Sequence, residues 1–159
     1  MTIESRLVLR LQFLSRVIIK EIRHLSSTDQ RLFPDADTRV DFDRLETDLD
    51  LAERVEAFVG RFCRLQDTIG DKLLPALLNA MGEKTASVMD NLDRAERLGW
   101  IVSAEEWLAM RHLRNQMVHE YVEDPVILAN ALQNGHQFVV VLIGAGEEMI
   151  AEIMRKGWL

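Results

Sequence analysis

Apolar residues recur every three or four positions along almost the whole chain. Ile3, Leu7, Leu11, Leu14, Ile18, Ile22 and Leu25 follow one another in this way. So does the set Leu45, Leu49, Val55, Phe58, Val59, Phe62, Leu65 and Ile69. A stripe with that period lies on one side of an α-helix, whereas a half-buried strand alternates. The longest apolar run, Phe138 to Ala145, sits inside helical spacing and reads as a buried helix face. Only three prolines interrupt the 159 residues. The fold class predicted is all-α, an antiparallel bundle of four to five helices with short connections. The length suits a single domain spanning residues 1–159, and 48% apolar residues suit a packed core.

Local punctuation sets the predicted boundaries. The first helix runs from about Thr2 to Leu25, and Ser26-Ser27-Thr28-Asp29 competes for backbone hydrogen bonds and stops it. A loop follows around Pro34. A second helix starts between Asp43 and Asp48, with Gly70 and Pro75 bending or ending it. The third covers Thr85 to Leu98, closed by Gly99 as a left-handed cap. Ser103-Ala104-Glu105-Glu106 is a capping box, with Val102 and Trp107 placed as a hydrophobic staple, for a helix from Ala104 to about Tyr121. Asp124-Pro125 opens the last helix, which Asn134-Gly135 has the chemistry to interrupt.

Net charge is −7, a poor basis for coating nucleic acid in general, although a small cationic groove is compatible with it. The single cysteine, Cys63, forms no internal disulfide and reads as a small apolar residue. The start lacks a basic segment followed by an apolar block. The apolar run at Phe138 is far shorter than the roughly 20 residues of a membrane span. A soluble cytoplasmic protein is expected, with no membrane association.

The chemistry concentrates in Arg114-Asn115-Gln116-Met117-Val118-His119-Glu120-Tyr121. A fixed cation, an imidazole and a phenol fall within about two helical turns. At about 100° per residue, Met110, Leu113 and Met117 form a core-facing stripe, and Arg111, Arg114, Asn115, Val118 and His119 spread over the opposite arc. Arg114 and His119 then stand roughly 140° apart, so a lone regular helix keeps them out of contact. A second copy across a two-fold axis would instead build a groove lined twice by Arg114, Asn115, His119 and Tyr121. A partner would also cover Val118 and Trp107, which fall near the same polar face. Arg grips phosphate oxygens, His exchanges protons near neutral pH, and Asn115 orients either group. Arg111 and His112 extend the cationic surface for substrate. No metal-binding cluster accompanies them, and no cofactor is expected. These groups suit metal-independent RNA cleavage, in which the ribose 2′-hydroxyl attacks its own phosphodiester. His119 moves the proton and Arg114 stabilises the developing charge. DNA lacks that hydroxyl and would be inert.

The segment Glu106 to Tyr121, with its Arg-Asn-x3-His-x-Tyr ending, resembles the signature of the HEPN superfamily. It is most similar to the HepT-like toxins, also described as nucleotidyltransferase substrate-binding proteins. That resemblance implies a homodimeric helical bundle acting as a ribonuclease toxin of a toxin–antitoxin pair. Arg114 and His119 match the family's catalytic pair, and Asn115 matches its polar position. Tyr121 matches the tyrosine that a minimal nucleotidyltransferase antitoxin can AMPylate. The alternative it implies is a non-catalytic binding partner of such a nucleotidyltransferase.

Blander readings compete. Arg114 and His119 on a helix are ordinarily surface or structural groups, and a bundle without an active site would tie both up in internal salt bridges. Trp107 reads as a core residue, and His24 and His136 as isolated. Asp48, Asp50, Glu53 and Glu56 read as a solvated face, and His112 with His119 as a poor metal site.

Overall fold

The computed structural model of the chain describes residues 3–119 and 124–159, and every regular element among them is helical. The elements are α1 (Ser5–Leu32), a short 3-10 turn (Phe42–Arg44), α2 (Leu49–Asp67), a π-helical turn (Thr68–Leu73), α3 (Leu74–Ala80), α4 (Val88–Arg97), α5 (Ala104–His119) and α6 (Pro125–Arg155). The predicted stripes are the core. Leu11, Leu14, Ile18 and Leu25 of α1 meet Val55, Phe58, Phe62 and Leu65 of α2, all at or near zero exposure. Met110, Leu113 and Met117 of α5 are buried as the spacing required. One cluster of buried side chains joins these helices to α6.

The stop predicted at Ser26-Ser27-Thr28-Asp29 does not occur, because tertiary contacts override local preference. α1 runs on to Leu32. The Thr28 hydroxyl donates to the His24 carbonyl inside the helix and accepts from the Arg61 guanidinium of α2. Leu25, Leu32 and Phe33 are buried, which rewards the extra turns. Nor does Gly70 or Pro75 end the second helix. The Leu74 amide bonds to the Ile69 carbonyl, a five-residue step, and Pro75 falls in the first turn of α3, where its missing N–H costs least.

α4 is shorter than predicted. Ser87 is its N-cap, accepting from the Asp90 amide at 3.2 Å and donating to the Asp90 carboxylate at 2.9 Å. Gly99 has φ +80° and the Trp100 amide reaches back to the Ala95 carbonyl, the left-handed ending predicted. The Ser103 cap is present, with the Glu106 amide 3.1 Å from its hydroxyl. The staple is not: Val102 is 82% exposed while Trp107 is buried. Asp124 accepts from the Val126 and Ile127 amides. α6 passes through Asn134-Gly135 without a break. A side chain at Gly135 would begin 3.3 Å from the Phe58 ring, so the glycine serves close helix approach.

The apolar run of α6 does not lie wholly inside: Val139 and Leu142 are buried, but Val140 is 77% exposed. Taken whole, α6 is long and apolar enough to cross a membrane by length and composition. Here Leu128, Leu132, Val139, Leu142, Met149 and Ile153 commit one face of it to the core.

Candidate active site on helix α5

Three features place the α5 side chains. Ser103 fixes where the helix begins. Met110, Leu113 and Met117 fix its rotation by burial. Trp107 fixes its approach to the π-helical turn: a Cβ at Gly70 would lie 3.1 Å from the indole Cζ2, so only glycine lets the two elements come this close.

With the helix so rotated, Arg111 and Arg114 meet the end of α2. Arg114 Nη1 is hydrogen-bonded to Asp67, and Arg111 Nη1 lies 3.5 Å from Asp71. The Arg114 side chain is 22% exposed and Asp67 41%. The Nε of Arg114 is buried without a hydrogen-bond partner among the described residues. Cys63 lies beside the same guanidinium. Burial pushes its thiol up, and the Arg114 hydrogen bond offsets only part of that. Cys63 is therefore the buried, small apolar residue predicted.

His112, Asn115, Val118 and His119 are exposed on α5, and His119 is its last described residue. Arg114 pairs with Asp67 and makes no hydrogen bond or ion pair with His119, in keeping with the angular separation expected. Glu120 and Tyr121, the last two residues predicted for this helix, lie outside the described residues. Of the two groups that a site-free bundle would tie up, Arg114 is in an internal ion pair and His119 is on the surface.

Two corrections follow. The small cationic groove is instead charge-balanced, since each arginine faces a carboxylate. His136 is not isolated. Its Nδ1 is 2.7 Å from Asp29 Oδ1, and its ring stacks on Phe33 with centroids 4.3 Å apart. Asp50, Glu53 and Glu56 are exposed as predicted, while Asp48 caps α2 by accepting from the Leu51 amide.

Asp67 and Asp71 carried no motif of their own. Their four-residue spacing matches the three-residue spacing of Arg111 and Arg114, so the charge patterns of two helices held the available signal. Among the described residues, no group of three or more His, Cys, Asp or Glu side chains is placed to hold a metal.

Comparison with known proteins adds no relative: no family model, curated protein or solved structure matches this chain.

Proposed function

We propose that this chain is a metal-independent RNA endonuclease of the HepT-like type, the toxin of a toxin–antitoxin pair. In this reading the helices form an antiparallel bundle, two copies pair across α5, and Arg114, Asn115 and His119 line the shared groove. His119 transfers the proton of the ribose 2′-hydroxyl. Arg114, oriented by Asp67, stabilises charge on the phosphorane-like transition state. Arg111 and His112 bind the RNA substrate. The antitoxin is a minimal nucleotidyltransferase that AMPylates Tyr121. The added bulk and negative charge would repel RNA from the groove. The setting is cytoplasmic, away from membranes, and DNA is not a substrate.

The observation that carries the reading is the surface of α5. Opposite a fully buried stripe it exposes an imidazole, an amide and an apolar Val118 that is 49% exposed, beside a guanidinium already fixed in direction. Expression of the protein alone tests it. Wild type should arrest growth and His119→Ala should not; equal arrest by both refutes the assigned chemistry.

One observation favours a second reading, a non-catalytic partner of a nucleotidyltransferase. Arg114 spends part of its charge on Asp67, which leaves less for a phosphate. That reading expects complex formation and AMP transfer to Tyr121 without RNA cleavage. A Tyr121→Phe protein that still accepted the label would count against it.

A further inference from the structure

A cleft of about 320 Å³ opens between the π-helical turn, the loop before α4, and α5. It adjoins the proposed catalytic residues and shares Arg111 with the proposed RNA-binding surface. Leu74, Pro75, Val88 and Trp107 supply the apolar part of its lining. Its polar side chains include Thr85, Asn91, Asp71 and Arg111. Asn91 accepts from the Ala86 amide, while Asp71 and Arg111 are both more than a third exposed and only loosely paired at 3.5 Å. A π-helical turn inside an otherwise α-helical rod often marks a functional site, because it re-aims the side chains it carries. Here it carries Asp71 and the glycine against which Trp107 packs.

From this we infer that the cleft is a guanine-binding pocket that selects the nucleotide next to the scissile phosphate. Guanine presents two parallel donors, N1–H and the N2 amino group, which fit the two oxygens of one carboxylate. Its O6 and N7 are paired acceptors that an arginine fork reads. Asp71 and Arg111 supply those complements. Adenine offers an acceptor at N1, where the carboxylate needs a donor, so it leaves Asp71 unsatisfied. Proteins that read single-stranded RNA hold unstacked bases by their edges in this manner. The placement suits a substrate: Arg111 and Arg114 are three residues apart, about 4.5 Å along the helix axis. A base in the cleft would therefore set its own phosphate near Arg114. The charge-balanced seam gives a further reason. With Asp67 and Asp71 opposing the arginines, general attraction for RNA is weak, and affinity has to come from specific contacts.

The inference rests on the ribonuclease reading, and the test separates the two. The purified full-length protein is titrated with GMP and with AMP, followed by tryptophan fluorescence and calorimetry. GMP should bind at least tenfold more tightly. Asp71→Asn should cut that preference at least tenfold, and Thr85→Trp, which fills the cleft from its loop side, should abolish GMP binding with the helical circular dichroism unchanged. Equal binding of both nucleotides, no binding of either, or a preference that survives Asp71→Asn overturns the pocket. RNA cleavage sites are then mapped with the wild-type protein. Cleavage without enrichment of guanine beside the cut also overturns the pocket while leaving the nuclease standing. GMP-selective binding in a protein that cuts no RNA removes the nuclease and keeps the pocket.

Discussion

Two seams of this molecule each set a carboxyl group against a nitrogen-bearing side chain, and they do so in different ways. Where α2 ends against α5, Asp67 and Asp71 face arginines at the edge of solvent. Where the last turns of α1 meet α6, Asp29 faces a histidine, with its own side chain only 15% exposed. The first seam uses planar guanidinium groups, whose fork of donors matches a carboxylate. The second stacks its imidazole on Phe33, which in turn meets Phe58 edge-on at 5.9 Å, so aromatic packing holds the hydrogen-bonded pair. The lesson is that the α1–α6 seam is a structural clasp, whereas the α2–α5 seam leaves polar groups within reach of a ligand.

Perturbations should separate the seams in order of size. Phe58→Ala removes the ring on which Phe33 and the clasp depend, and should destabilise the protein by about 3–5 kcal/mol in urea denaturation. Ser103→Ala removes the N-cap of α5 and should cost about 1 kcal/mol by the same measurement. It should also loosen the α2–α5 seam, read as faster amide exchange at Glu106 and Trp107. Asp67→Asn should cost less than about 1 kcal/mol, because the pair is partly solvated, while lowering RNA cleavage through a misdirected Arg114. A larger loss of stability would make Asp67 a structural group of the same kind as Asp29.

The smallest effect is a pH trend. Burial raises the Asp29 carboxyl above its ordinary value, outweighing the His136 hydrogen bond. A carboxyl raised in the folded state contributes stability below its unfolded value, about 3.9, and loses it as pH rises through the folded value. Asp29→Asn has no such loss. The melting temperature of Asp29→Asn minus that of wild type should therefore increase from pH 4 upward. A difference that shrinks with rising pH would show that the charged carboxylate is the favoured form.

How much of this was legible in the sequence depended on how far apart the interacting residues lie. Leu11, Phe58 and Met110 announced their burial by periodicity, and Ser103, Asp124 and Gly99 announced helix ends through interactions within a few residues. The partners that decide the site are distant. Asp67 and Arg114 are 47 positions apart, and Asp29 and His136 are 107 apart. Thr28 looked like a helix stop because its use as a bridge to Arg61 exists only once α2 is in place. The π-helical turn had no signature beyond Gly70, whose role becomes plain only when Trp107 lies against it. On the site itself, the core stripe of α5 was readable, and the neutralisation of its arginines was not.

The proposed role of the His119 imidazole, moving a proton in RNA cleavage, is directly testable. Purified wild type and His119→Ala, matched for helical content, should be compared on RNA in the presence of EDTA. Wild type should cleave, and the variant should lose about 100-fold or more of that activity. Cleavage that survives the substitution, or that disappears from wild type when EDTA is added, would contradict it.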